Sequence, residues 1–303
     1  MSRVRAYLEL VRAPNLFTAI ADSLAGYWLC TGAINFTWRT GLILASSACL
    51  YAYGIVLNDL MDDETDRQER PSRPLPSGRI NTLTARTICA ASLAFGILLA
   101  LGAGVSLENP DHIDMRLAPT LVALAIAFCI AAYDCLLKET WLGPAAMGAC
   151  RGLNVLLGMS VAGSLAWDIR MAAPLAMFIY VASFTAFGRT ETQSTPRRSL
   201  TIGTAGVIAG LLVLGVLAAH RIAEETFTLV LWLAFLIHMG RVALRTIRHP
   251  QPRFVQYAMK TFILGIIAFD AIIASASHGW LAAVVLLLLL IPAGLLGRWV
   301  YST

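Results

Sequence analysis

Apolar runs of about twenty residues, long enough to carry a helix across a ~30 Å hydrocarbon layer, recur from one end of this chain to the other. Ten can be placed, at roughly 13–34, 40–60, 82–107, 117–137, 143–166, 172–188, 200–220, 226–244, 257–276 and 279–299. In lipid, backbone N–H and C=O groups must be satisfied within the segment, so such runs fold as helices. Only Ser277-His278-Gly279 separates the ninth run from the tenth, and nine or ten spans are therefore expected. The fold class is all-α, a polytopic transmembrane bundle. The connections are too short for a sizeable soluble domain, so residues 1–303 read as one integral-membrane domain.

Composition agrees: 58% of residues are hydrophobic and only 14% charged, which excludes a soluble enzyme. With ten spans and a cytoplasmic N-terminus, the outer loops hold Arg39, Arg116, Arg170 and Arg221, while nearly all other basic residues sit at inner ends. That asymmetry follows the positive-inside rule and puts the polar loops 61–81 and 189–199 in the cytoplasm. The expected location is a cell membrane, the inner membrane of a bacterium. The net charge of +5 then reports topology, and no nucleic-acid partner is expected. Six cysteines lie in or beside apolar segments without CxxC spacing and read as small buried residues. The first apolar run is too long, and lacks the small-residue cleavage site, for a removable signal peptide.

The chemistry concentrates after the second run, at Asn58-Asp59-Leu60-Met61-Asp62-Asp63-Glu64-Thr65-Asp66. If the helix continues past Leu57, Asn58, Asp62 and Asp66 stand at i, i+4 and i+8 on one face. The negative end of the helix dipole disfavours acids there, so the cluster calls for a cation. Mg²⁺ suits it, because that ion takes one or two carboxylates and completes its shell with water and substrate phosphates. Asp59 and Asp63 form a second pair about 100° round the helix and read as supporting groups. Arg70, Arg73 and Arg79 follow, with Pro71, Pro74 and Pro76 restricting φ, so an extended, stiff loop is expected to fold over a pyrophosphate. The alternative for any single arginine is a positive-inside anchor.

Further along come Lys138, Gly143-Pro144, Gly148-x-x-x-Gly152, Arg151 and Asn154. An arginine inside a span costs ~2.5–3.5 kcal/mol on insertion scales, so it faces a cavity or a partner. Arg151 and Asn154 are expected to line the cavity below the diphosphate, and the glycines to be helix contacts. Asp22 and Asp270 are intramembrane acids, each either orienting an acceptor or pairing with Arg151. Tyr51 and Tyr53 either turn an electron-rich ring to a cation or pack the core.

Asn58-Asp59-x-x-Asp62-x-x-x-Asp66 followed by Arg73-Pro74-Leu75-Pro76-Ser77-Gly78 resembles the first aspartate-rich motif of UbiA-type intramembrane prenyltransferases. Arg12-Ala13-Pro14-Asn15 and Tyr133-Asp134-x-x-Leu137-Lys138 resemble two further signatures of that family, and the likeness covers roughly residues 10–220. The resemblance implies a helical bundle around a central cavity, Mg²⁺ holding an isoprenyl diphosphate, and transfer of the isoprenyl group to an acceptor within the membrane, often an aromatic ring. Carried over by position, Asn58, Asp62 and Asp66 are the metal ligands. Asp62, Asp66, Lys138 and Glu191 take catalytic roles, and Asn58, Arg70, Arg73, Lys138, Arg151, Asn154 and Arg189 hold the diphosphate.

The pattern breaks at Phe187-Gly188-Arg189-Thr190-Glu191-Thr192-Gln193-Ser194-Thr195-Pro196-Arg197-Arg198, where the family carries a second aspartate-rich motif. No aspartate pair is present. Either Glu191 and neutral oxygens make a weaker second site, or Arg189, Arg197 and Arg198 neutralise the diphosphate directly. This combination resembles the UbiA-like branch typified by EboC proteins. It leaves two readings, a prenyltransferase or a non-catalytic accessory that binds or moves prenyl lipids, with a cation transporter a weaker third.

Overall fold

A computed structural model describes residues 3–31, 34–105, 113–161, 168–188, 197–220 and 226–300. Glu191 and Arg189 of the sequence reading lie outside the described residues. In chain order the α-helices are α1 (Arg3–Leu10), α2 (Ala13–Cys30), α3 (Trp38–Met61), α4 (Asp63–Glu69), α5 (Thr82–Val105) and α6 (Ile113–Ala132), which runs on into a π-helical turn at Tyr133–Leu137. Then come α7 (Gly143–Met159), a 3₁₀ turn (Ile169–Met171), α8 (Ala172–Gly188), α9 (Arg197–His220), α10 (Thr226–Arg248), α11 (Pro252–Leu287) and α12 (Leu290–Trp299). There is no strand among the described residues.

Among the described residues, seven helical stretches are long and apolar enough to cross a membrane: 38–61, 82–105, 116–137, 169–188, 198–219, 226–248 and 252–299. The expectation of nine or ten spans is not confirmed by that count, for two physical reasons. Helices α2 and α7 have only 18 and 17 residues and carry Asp22, Arg151 and Asn154, which lower their hydropathy. The last two apolar runs form one continuous stretch, which turns at Gly279, where φ is 70° and ψ −163°. Only glycine adopts that backbone without strain, so the chain bends there with no intervening loop.

Neighbouring helices close a ring, each of α2, α3, α5, α6, α7, α8, α9, α10 and α11 packing on the next and α11 returning to α2. Because lipid is as apolar as the helix surfaces, close backbone approach holds such a bundle together. Helices α2 and α7 show it: a Cβ on Gly26 would lie 2.0 Å from the Val155 carbonyl oxygen, and one on Gly158 1.8 Å from that of Ser23. A Cβ on Gly148 or Gly152 would likewise lie 2.5 Å from the Phe178 or 2.7 Å from the Pro174 carbonyl oxygen of α8, so these glycines are packing contacts. In the second half of the ring the core is aromatic: Tyr180 is fully buried among Phe184, Phe235, Phe262 and Phe269, its hydroxyl donating to the Phe262 carbonyl at 3.0 Å.

Candidate active site

Helices α2, α3, α6, α7, α8 and α11 enclose a cavity of about 450 Å³. Along α3 its wall is made by Ser47, Tyr51, Gly54, Asn58 and Asp62, one residue per turn. At 1.5 Å per residue this stripe runs about 22 Å from Ser47 to Asp62. Leu50, Ile55, Ile126, Ile130, Val181, Phe184, Ile263 and Ile266 give the cavity apolar sides. Its polar residues gather in two groups, one at the C-terminal end of α3 and one deeper.

The first group forms the mouth. Helix α3 stops because Asp62 adopts φ −90°, ψ 0°, yet the hydrogen-bond ladder continues through Asp62 N–H to the Asn58 carbonyl (2.9 Å) and Asp66 N–H to the Asp62 carbonyl (2.8 Å). The side chains diverge across this joint. Asp62 faces the cavity and accepts from the Lys138 ammonium. Asn58 also faces it, its Nδ2 donating to Asp134 Oδ1 at 2.8 Å. Asp66 does not line the cavity; it is buried and accepts from Arg73 Nη1 at 2.5 Å. The expected single face of Asn58, Asp62 and Asp66 is therefore split at the helix end. Among the described residues no three His, Cys, Asp or Glu side chains already stand as a metal cage.

The two ion pairs differ in kind. Lys138 and Asp62 keep 27% and 30% of their side-chain surface exposed, so the pair is worth about 0–1 kcal/mol and exchanges readily. Arg73 and Asp66 keep 9% and 5%, and removing one partner from so dry a pair costs about 3–5 kcal/mol. Arg73 also lies 3.5 Å from Asp59 Oδ1, which accepts from Arg12 Nη2 at 3.1 Å. Asp59 thus steadies two guanidinium groups that line the cavity, the supporting role read for it. Arg70 lies exposed at the rim of the same cavity.

The segment 70–81 is not extended. Ser77 N–H reaches the Arg73 carbonyl, Gly78 N–H that of Leu75 and Ile80 N–H that of Pro74, with Gly78 at φ 70°. Burial of Leu75 and Ile80 drives this folding, outweighing the stiffness expected from the prolines. Arg79 turns to Glu9 on α1 (2.5 Å) and to the Ser72 carbonyl (2.6 Å), so it anchors the N-terminal helix.

The deeper group ties α2, α3 and α7 together. Arg151 donates to Asp22 Oδ2 and Thr18 Oγ1, each at 2.8 Å, with its guanidinium 5.3 Å from the centre of the Tyr51 ring. Asn154 is saturated: Nδ2 donates to the Ala19 carbonyl (2.8 Å) and Asp22 (3.0 Å), while Oδ1 accepts from Ser47 (2.8 Å) and Ser23 (3.0 Å). Both residues line the cavity as expected, but by the helical rise along α3 Arg151, at Tyr51, lies about 10 Å below Asn58 and Asn154, at Ser47, about 16 Å. Asp22 is the partner of Arg151. Asp270 is fully buried on α11 and makes no ion pair among the described residues. Of the two tyrosines only Tyr51 lines the cavity, and its ring carries Arg151; Tyr53 is buried off the cavity.

Four cavity residues within the family-like motifs were not singled out as site residues from sequence: Arg12, Asn15, Tyr133 and Asp134. Each falls inside a motif that resembled the family, which was the available signal. Arg12 has φ 45° and ψ 53° directly before α2, a left-handed backbone rare for arginine. Asn58, Asp62 and Asp134 place hard oxygen atoms at a partly open mouth beside cationic side chains. That donor set fits Mg²⁺, which needs one or two carboxylates when phosphates complete its shell.

The UbiA prenyltransferase family profile matches residues 19–254. Digeranylgeranylglyceryl phosphate synthase of Ignicoccus hospitalis is 42% identical over 102 residues, 34% of this chain and 33% of the relative. That of Methanocaldococcus jannaschii is 37% identical over 101 residues, 33% and 36% of the two chains. The match spans about a third of the length of these curated relatives. Among solved structures, a digeranylgeranylglyceryl phosphate synthase in membranes superposes with a TM-score of 0.67 at 22% identity over 92% of this chain and 100% of that one. A UbiA homologue from Archaeoglobus fulgidus bound to GPP and Mg²⁺ gives 0.63 at 16% identity, over 89% and 99%. At such identities these structures show the shared fold. The relatives' names carry a glyceryl phosphate, so they lend no support to an aromatic acceptor, and their archaeal sources lend none to a bacterial inner membrane. The apolar helices and a profile match over most of its length make the chain an integral, multi-pass membrane protein of the UbiA prenyltransferase family.

Proposed function

We propose that this protein transfers an isoprenyl group from a Mg²⁺-bound isoprenyl diphosphate to an acceptor held in the membrane, with the cavity mouth on the cytoplasmic side. One observation carries the reading: a single cavity joins a charged mouth to apolar walls, matching the polar head and hydrocarbon tail of such a donor. Mg²⁺, when bound, withdraws charge from the pyrophosphate leaving group.

The chain's own residues do the rest. Asn58 and Asp62 present oxygen atoms to the metal. Lys138, released from its exchangeable pair with Asp62, donates to the phosphate oxygens that gain charge as the allylic C–O bond breaks. Arg12, Arg70 and Arg73 surround the same group with guanidinium donors suited to phosphate. The apolar walls keep water from the allylic carbon, so the acceptor oxygen bonds to it and the displaced proton leaves with pyrophosphate. Similarity to digeranylgeranylglyceryl phosphate synthases supports an acceptor bearing a glyceryl phosphate. Asp66 serves here by fixing Arg73 and not as a ligand.

The test is purified protein in lipid nanodiscs with Mg²⁺, radiolabelled geranylgeranyl diphosphate and either a glyceryl phosphate lipid or an aromatic acceptor. Labelled lipid and equimolar pyrophosphate are expected, falling at least about a hundredfold in Asp62→Ala. Turnover unaffected by that substitution overturns the reading. Tight binding without pyrophosphate release would favour the accessory role suggested by the missing aspartate pair in 189–196.

A further inference from the structure

We propose that Asp134 is a direct oxygen ligand of the metal at the cavity mouth, supplying from α6 the carboxylate that the loop 189–196 lacks. The inference rests on the diphosphate reading of this cavity and goes beyond it by naming a residue outside both aspartate-rich positions.

Four observations carry it. The acidic motif after α3 offers the cavity less than its composition suggests. Asp59 and Asp66 are buried against Arg12 and Arg73, and Asp63 pairs with the exposed Arg67 at 2.9 Å, leaving Asp62 as the one motif carboxylate on the cavity wall. The loop that would supply a facing pair of aspartates holds none.

Asp134 occupies the facing wall. It lines the cavity beside Lys138, with Oδ1 2.8 Å from Asn58 Nδ2. Its backbone is special as well. Lys138 N–H reaches past the α-helical partner to the Tyr133 carbonyl at 2.8 Å, closing a π turn over Tyr133–Leu137. Such wide turns occur mostly as single interruptions of α-helices, often at functional sites. Here the turn carries both Asp134 and Lys138, whose side chains meet Asn58 and Asp62 across the mouth.

The hydrogen bond also orients Asn58. With Nδ2 committed to Asp134, the amide's Oδ1 is the atom left to accept, so Asn58 adds an oxygen to those of Asp62 and Asp134 on the wall of the same cavity. Two carboxylates and an amide oxygen, completed by phosphates and water, match the needs of Mg²⁺.

The competing role is positioning alone, with Asp134 merely holding the Asn58 amide. An asparagine at 134 separates the two, since its side-chain oxygen still accepts from Asn58 but carries no charge. The experiment titrates Mn²⁺, followed by its EPR signal, into protein in nanodiscs saturated with geranyl thiolodiphosphate, a slowly ionising donor. Asp134→Asn is expected to weaken Mn²⁺ at least about tenfold, while Asp134→Glu stays within a few-fold of wild type. In wild-type protein labelled with ¹³C-carboxyl aspartate, electron–nuclear double resonance is expected to show two carboxylates on Mn²⁺, a readout independent of how the variants fold. Unchanged Mn²⁺ affinity in Asp134→Asn, or a single coupled carboxylate in wild type, overturns the inference and leaves the proposed function standing. Wild type that binds neither Mn²⁺ nor the thiolodiphosphate overturns both.

Discussion

Two of the pairs in which a cation of the cavity wall meets an aspartate, Lys138–Asp62 and Arg151–Asp22, behave as opposites. At the mouth, Lys138 and Asp62 are both about a quarter to a third exposed, and each has a second task in the proposed chemistry. In the depth, Arg151 and Asp22 keep 12% and 0% of their side-chain surface, Thr18 and Asn154 bond to the pair, and Asn154 bonds onward to Ser47 and Ser23, while Asp22 Oδ1 keeps no hydrogen-bond partner among the described residues. A pair that trades partners must stay close to water, whereas a pair that holds helices together must be dry. The cavity therefore divides into a reactive mouth and a structural floor, though both carry the residue types usually taken for catalysis.

That division is exposed by substitutions with opposite signatures. The largest effect is expected at the floor: Asp22→Ala strands the buried Arg151 charge and an Asn154 donor, costing about 3–5 kcal/mol. Thermal unfolding in detergent would show it, and a midpoint within a degree or two of wild type would remove the structural reading. Next comes the mouth, where Lys138→Ala is expected to lower turnover about 10²–10³-fold, equivalent to about 2.7–4 kcal/mol in the barrier. The same variant should change stability by less than about 1 kcal/mol, because the pair it breaks is exposed. A large loss of stability with unchanged turnover would invert the comparison.

Gly158→Ala tests the frame beneath the floor. Its Cβ would meet the Ser23 carbonyl at 1.8 Å, forcing α2 and α7 apart at a cost of about 1–3 kcal/mol in stability. Its effect on metal affinity at the mouth should be small. Smallest is Arg79→Ala, which removes a partly exposed contact to Glu9 and is expected to cost at most about 1 kcal/mol. Limited proteolysis after α1 is the sensitive readout, since Arg79 pins that helix to the 70–81 segment.

Residue spacing alone revealed much of this. The i, i+4 register put Asn58 and Asp62 on the cavity wall, and the cost of an intramembrane arginine marked Arg151 as cavity-lining. What stayed hidden follows from local conformations that a uniform 3.6-residue period does not contain. Asp66 left the face because Asp62 breaks the helix at φ −90°, ψ 0°. Asp134 entered the cavity on a π turn. The 70–81 segment folded up because Leu75 and Ile80 found a core, which proline content does not announce. The span count exceeded the seven stretches that pass on length and hydropathy because α2 and α7 give up apolar positions to the floor, and because a glycine at φ 70° lets the last two runs join without a loop.

The claim on which the rest depends is that the mouth binds a diphosphate through a divalent ion. Isothermal titration of geranylgeranyl diphosphate into nanodisc-embedded protein, with Mg²⁺ and then with EDTA, addresses it directly. The account predicts binding that weakens at least about tenfold without Mg²⁺ and likewise in Asp62→Ala, but not in Arg79→Ala. Equal affinity with and without the metal, or affinity indifferent to Asp62, would contradict it.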